Sequence, residues 1–393
     1  MDEQKMSARN WVALVGLACA AFIFNTSEFV PIGLLTDIGA DFGRSEAETG
    51  VLITVYSWMV MLLSLPLTML FSRTEMRKLL LGVIALFVIC QGLSSVSSSF
   101  GMLMGSRIGV ASTHALFWSI IPTIAVRTVP HRYSSLALSV VVTGTSIATI
   151  MGMPLGRAIG LQLGWKMTFL TIGIFALVTF ILVALTLPKI PAGKGVSLHS
   201  LPKMLHNRVL IGIYIFTLLF AAGYYTAYSY IEPFLAQIGG MSEGLVTGTL
   251  MIFGVAGLAG SYAFSKFYTG YRFRFVHLAA VGLILALVLL MPFAFSHGLL
   301  ILLCAVWGIS VTCFNIAMQS EVIGASNDDE SAVAMSIYSG IFNLGIGSGA
   351  LIGGAVCTHF SLNWVGMAGA VLAVAALCYW QYRLKVAMQR KLQ

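Results

Sequence analysis

Three ionisable residues, Glu28, Arg107 and His114, stand inside long apolar stretches of this sequence. Such groups are costly to keep away from water, so by default they point to proton movement or ion pairing. At 1.5 Å rise per residue, Glu28 lies roughly 13 Å inward of the Asp37 end of its stretch. Arg107 lies about 12 Å inward of Ser99 by the same rise. Opposite charges at similar depth can pair. Ala111, His114 and Trp118 continue the helical face of Arg107 as one stripe. Two readings remain open for Glu28 and Arg107, a structural pair joining two helices or a site that handles a proton or substrate. The second is favoured, with Glu28, Arg107 and His114 as the proton-coupling set. His114 itself reads equally as a packed imidazole or a cavity residue.

A second set is polar but uncharged. Tyr224, Tyr225, Tyr228 and Tyr230 crowd the seventh apolar stretch, each with a flat apolar body and a hydrogen-bonding tip. Asn25, Trp118, Asn315, Gln319, Tyr338 and Asn343 add further neutral polar groups, so the candidate substrate residues are these six with Tyr225 and Tyr228. Aromatic faces and amides of this kind suit a neutral polyol. The tyrosines read equally as an interfacial belt. Glu232 is expected at the outer interface, and Glu321 with Asp328, Asp329 and Glu330 in a solvated inner loop. No HExxH, GxSxG or GxxxxGK[ST] occurs, so metalloprotease, hydrolase and nucleotide-driven pump lack their chemistry. Gly345-x-Gly347-x-x-Ala350 has no strand before it and is no dinucleotide loop. No enzyme activity, cofactor or metal is expected, and the six cysteines form no CxxC and read as packing residues.

The elements that must position these groups are twelve apolar stretches of about 20 residues, enough for a helix to cross a bilayer. They start near Trp11, Ala47, Leu79, Gly101, Ser135, Trp165, Val209, Glu243, Phe275, Leu299, Ser331 and Trp364. A composition of 58% hydrophobic and 9% charged residues agrees, as does a mean hydropathy of +0.93. The first stretch is too long for a signal-peptide core and is expected to stay uncleaved. Of 22 Lys and Arg, all but Arg44, Arg107, Arg157 and Lys166 fall at one face, which places both termini in the cytoplasm. The net charge of +8 is therefore topological, and its spread over short loops argues against nucleic acid.

The second half echoes the first at an offset near 200. Ile38-Gly39 recurs as Ile238-Gly239, Ser45-Glu46 with Thr49-Gly50 as Ser242-Glu243 with Thr247-Gly248, and Trp165 as Trp364. In this frame Glu28 corresponds to Tyr228. The expected fold is an all-α integral membrane protein of twelve transmembrane helices in two parallel six-helix repeats. Residues 1–187 and 209–393 form the halves, with substrate bound between them near mid-membrane. Residues 188–208 form a cytoplasmic linker whose Leu198, Leu201, Met204 and Leu205 suggest a surface helix. Glycines concentrate in the fifth and eleventh stretches, where small residues let helices approach and slide.

Five segments carry a resemblance over nearly the whole chain: FNTSEFVPIGLL (Phe24 to Leu35), SRIGVASTHALFWS (Ser106 to Ser119), GMPLGRAIG through GWKMTF (Gly152 to Phe169), YTAYSYIEPF (Tyr225 to Phe234) and SGIFNLGIGSGALIGG (Ser339 to Gly354). The sequence resembles the major facilitator superfamily in its drug:proton antiporter branch, and more closely the bacterial sugar efflux transporters. The resemblance implies a role for Arg107 in proton coupling, for Glu28 as the first-helix carboxylate, and for Gly152, Pro154, Gly156 and neighbouring Arg157 in gating or helix packing. It implies a monomeric exporter of small sugars or sugar-like molecules by proton antiport. A multidrug or nucleoside antiporter is the nearest alternative, and a non-transporting sensor a remoter one. The loop between stretches two and three departs from the family pattern GxLaDRxGRR, with Ser72 at its acidic position and Glu75 at its second glycine. Glu75 is expected to supply a substitute ion pair with Arg73, Arg77 or Lys78.

Overall fold

The computed structural model describes residues 6–192, 206–326 and 331–392, and its regular elements are helices. The expected linker helix and the Asp328 to Glu330 run lie outside the described residues. Eleven helices are long and apolar enough to cross a membrane. They are α1 (Ala8–Gly33), α2 (Glu46–Leu70), α3 (Met76–Ser95), α4 (Phe100–Thr128), α5 (His131–Leu163), α6 (Trp165–Thr186), α7 (Arg208–Tyr228), a long run Glu243–Leu289, α10 (His297–Ala325), α11 (Ser331–His359) and α12 (Leu362–Arg390). The long run breaks at Tyr271, whose φ of −133° and ψ of 34° leave the helical region. It is two spans, α8 (243–270) and α9 (272–289), joined without a loop, which makes twelve.

Local chemistry sets several boundaries. Ser7 and Ser99 accept hydrogen bonds from the backbone N–H groups of Asn10 and Met102, capping α1 and α4, and Asn207 caps α7 through the N–H groups of Val209 and Leu210. Gly164 takes a φ of +90° that only glycine adopts freely, and so ends α5 and starts α6 without a loop.

Contacts divide the chain into two compact units, Met1–Asp37 with Leu62–Val196, and Ile38–Met61 with Ser197–Gln393. In the first unit α1 packs on α5 and α6, and α3 packs on α4 and α6. In the second, α7 packs on α11 and α12, while α9 packs with α10 and α12. Each pairing recurs six helices later, as parallel repeats require. In the second unit the early part of α2 joins this set: Trp58 lies against Gly347, Gly50 against Tyr230, and Glu46 accepts from the Gln237 amide at 2.7 Å.

Glycine makes the inner contacts of both units. A Cβ on Gly144 would meet the Ala18 backbone, one on Gly152 the Thr26 side chain, one on Gly156 Val30, and one on Gly160 Leu34. These partners rise together along both helices, so α1 and α5 run parallel in close contact. Gly345, Gly349 and Gly353 on α11 meet α7 in the same order at Ala221, Ala222 and Thr226. Lipid tails supply no hydrophobic drive between helices, so close van der Waals contact at small residues carries the association.

Gly152→Leu should lower stability by about 1–3 kcal/mol through overpacking against Thr26. Gly105→Ala, with nothing within 4 Å, should be neutral or stabilising. Chemical denaturation in detergent measures both; equal losses would show that glycine contact does not hold α1 to α5.

Candidate functional site

The first unit's site begins with a proline. In α1 the carbonyl of Ser27 should accept from the N–H of residue 31, but Pro31 has none. Arg107, from α4 and 1% exposed, fills the vacancy: its Nη2 donates to the Ser27 carbonyl at 2.8 Å and its Nη1 to the Ser27 hydroxyl at 3.1 Å. Gln91 of α3 donates to the same hydroxyl, and the Arg107 guanidinium lies 5.6 Å from the Phe169 ring centre. An arginine is thus fastened one residue from Glu28.

Glu28 places Oε2 3.6 Å from His114 Nε2, with both side chains nearly sealed from solvent. Phe24 roofs this pair: its ring stacks on Phe117 at 4.1 Å and lies 6.4 Å from the His114 ring. Trp118 follows at 5.9 Å from His114. Pro122 removes the regular donor to the Trp118 carbonyl, as Pro31 does for Ser27, so a backbone acceptor sits beside this indole. Asn25 donates through its amide to the Thr145 carbonyl and the Thr149 hydroxyl, both at 3.3 Å, tying α1 to α5 just before Gly152. The helix widens there into a π turn over Ala148–Gly152, followed by Pro154. Arg157, fully buried, donates to the Gly33 carbonyl at the last residue of α1, where a cation opposes the partial negative charge of a helix end.

In the second unit the site is aromatic and amidic. Tyr224, Tyr225 and Tyr228 form a buried cluster with ring centres 4.2 to 5.9 Å apart. Phe253 of α8 lies 4.8 Å from Tyr228, and Trp307 of α10 meets both Tyr224 and Tyr228 edge-on at 5.9 Å. The buried Trp307 Nε1 has no hydrogen-bond partner among the described residues. Tyr338 and Gln319 both donate to Asn315 Oδ1 at 3.0 Å, joining α10 to α11. Asn343 donates to Ser339 within α11, while its buried Oδ1 is unpaired among the described residues. This array offers aromatic faces and neutral hydrogen-bonding groups.

The structure brings Glu28, His114 and Trp118 together, with Arg107 fixed beside them on Ser27, and separately brings together Tyr225 with Tyr228 and Asn315 with Gln319 and Tyr338. Ser27, Gln91, Phe24, Phe253 and Trp307 were not singled out from the sequence; Pro31 four residues after Ser27 was the available signal for the first. Three expectations are corrected. Glu232, expected as an exposed interfacial residue, is enclosed by protein at 2% exposure, just after the end of α7. Glu321 is not in a solvated loop: α10 continues to Ala325, and Glu321, 1% exposed, holds Arg272 and Tyr268 at the break after α8. Glu75 forms no ion pair among the described residues; Arg77 instead donates to the Ala184 carbonyl near the end of α6, at 2.6 Å.

Three solved structures share this architecture. A bacterial homologue of the human lysosomal transporter Spinster, in an inward-facing, occupied conformation, matches 98% of this chain and 98% of its own with a TM-score of 0.74 at 15% identity. A variant of the nucleoside transporter NupG matches 95% and 99% with a TM-score of 0.77 at 16% identity. The human organic anion transporter MFSD10 matches 96% and 100% with a TM-score of 0.69 at 14% identity. At these identities the likeness concerns the fold. The family model described as Major Facilitator Superfamily matches residues 17–327, most of the chain, and with the helices found here it makes this a multi-pass membrane protein that belongs to the major facilitator superfamily.

Proposed function

We propose that this protein is a monomeric secondary transporter that exports small sugars or sugar-like polyols across a bacterial inner membrane in exchange for protons, with both termini cytoplasmic. The observation that carries the reading is the separation of chemistries: a sealed carboxylate–imidazole pair beside a fixed arginine in the first unit, and an uncharged aromatic and amide array in the second. A buried carboxylate must be compensated, either by a cationic neighbour or by a proton. Glu28 therefore carries the exchanged proton, and Arg107 and His114 set when it is held. For export, Glu28 takes up a proton from outside after substrate leaves and releases it inward before or as new substrate binds.

The neutral array recognises the substrate. Sugar hydroxyls pair with Asn315, Gln319, Tyr338, Asn343 and Asn25, while the rings of Trp118, Tyr225 and Tyr228 cover the apolar face of a pyranose. Asn343 Oδ1, without a partner among the described residues, supplies an acceptor. Alternating access then follows from differential binding of substrate and proton to two states. The stack of Tyr224, Tyr228, Phe253 and Trp307 also suits a nucleobase, so a binding panel should hold nucleosides beside pentoses and hexoses.

Three substitutions test this in proteoliposomes. Glu28→Gln, neutral and of similar shape, should abolish accumulation driven by an imposed pH gradient while substrate counterflow persists. Wild-type accumulation by this variant would leave Glu28 as a structural residue only. Pro31→Ala restores an N–H that competes for the Ser27 carbonyl, releasing a charge-assisted bond of about 1.5–3 kcal/mol. Its coupled transport should fall while reconstituted amount and binding are maintained; unaltered coupling would make the arginine's anchorage incidental. Tyr228→Ala should weaken sugar binding by about tenfold, the scale of one buried hydroxyl and its ring contact. Calorimetry reads this directly, and undiminished affinity would move the sugar site away from the α7 cluster.

A further inference from the structure

We propose that the break between α8 and α9 forms a binding site for an anionic glycerophospholipid, with an acyl chain in an apolar groove and the phosphate held by Arg274 and Lys266. The groove lies within the second unit and has a volume of about 450 Å³, inside the range of roughly 300–1,000 Å³ typical of ligand sites. Its walls include Phe267 of α8, Tyr271 at the break, Phe275 and Leu278 of α9 and Cys313 of α10. It lies at the residue where the chain departs from helical geometry, Tyr271, and is walled by α8, α9 and α10.

Three observations select a lipid over a polar solute. Two small polar groups of the wall are already used: the Ser310 hydroxyl donates to the Val306 carbonyl, and the Cys313 thiol to that of Gly260. Phe267 and Leu278 are 45% and 67% exposed, and an apolar opening beside apolar helix faces offers entry from hydrocarbon, not water. The third is charge. Arg272 is neutralised by Glu321, but Arg274, which lines the groove, has no ion-pair or hydrogen-bond partner among the described residues. Lys266 stays exposed, with its ammonium 5.4 Å from the Phe267 ring centre. Arg274 thus lines the apolar slot and Lys266 adjoins Phe267 of its wall, both near the break and at the face bearing most of the chain's Lys and Arg. On the orientation proposed above that face meets the anionic cytoplasmic leaflet, where basic pockets between helices hold lipid headgroups.

The test uses full-length protein in vesicles of phosphatidylcholine containing phosphatidylglycerol. A trace of either lipid carries a photoreactive diazirine in its acyl chain, and crosslinked peptides are mapped by mass spectrometry. Phosphatidylglycerol should label the segments around Phe267, Leu278 and Cys313 more than phosphatidylcholine does. Arg274→Gln and Lys266→Gln, both at exposed positions, should each lower that preference by about fivefold, the effect of one basic residue near a membrane surface. Equal labelling by the two lipids, or a preference that survives the double variant, would overturn the proposal. Because both leaflets carry the probe, the result does not depend on orientation or transported substrate, so it can fail while the transport reading stands.

Discussion

A helix carbonyl that loses its hydrogen-bond partner in a bilayer cannot turn to water, and Pro31 creates such a carbonyl at Ser27. The vacancy is filled by Arg107 from α4, which also binds the Ser27 hydroxyl. One backbone defect thereby fixes a cation next to Glu28, joins α1 to α4, and through Gln91 adds α3. Without the proline the N–H of residue 31 would compete with Arg107 for the Ser27 carbonyl. The sealed Glu28–His114 pair follows from the same arrangement, since residue 28 is brought into the polar pocket that residue 27 anchors.

Close parallel contact between α1 and α5 sets the precision of that pocket. Asn25 can reach the Thr145 carbonyl because Gly144 and Gly152 let the two helices approach on either side of it. The α7–α11 contact is built alike: Tyr214 donates to the Ala334 carbonyl and Tyr230 to that of Ala350, each 120 positions away, the separation that also links Asn25 to Thr145. The same packing solution is therefore written twice, with an amide at one position and phenols at others.

This explains what was legible in the sequence. Span positions were readable because hydropathy is a one-dimensional property, and the structure starts each helix within about four residues of the apolar pattern, the usual uncertainty of such boundaries. The break at Tyr271 falls between the stretches expected to start near Glu243 and Phe275, with Gly270 just before it, but that the chain turns there without a loop was not readable. Glu321 was misplaced because Gln319 and Ser320 just before it are polar and the acidic run Asp328 to Glu330 follows, but α10 continues past it and turns the carboxylate onto Arg272, a partner 49 residues away. In the candidate site the ionisable residues were visible because charge in an apolar run is rare. Trp307 and Phe253 were invisible because aromatic residues in an apolar run are common, and only their convergence on Tyr228 distinguishes them.

The two units share packing but not chemistry, and the difference is informative. Glu28 and Tyr228 occupy matching places in the repeat, and each meets the span three helices on: α4 supplies His114 to the first, and α10 supplies Trp307 to the second. A carboxyl–imidazole contact in one repeat is thus an aromatic contact in the other. A carboxyl–imidazole contact can gain or lose a proton, whereas an aromatic cluster offers no equivalent charge change at neutral pH. In the proposed function, protonation at Glu28 would bias the first unit while the neutral array recognises the substrate without a charge of its own. In the proposed exchange this separation allows a pH gradient to drive substrate movement without the gradient itself altering the groups that recognise the substrate.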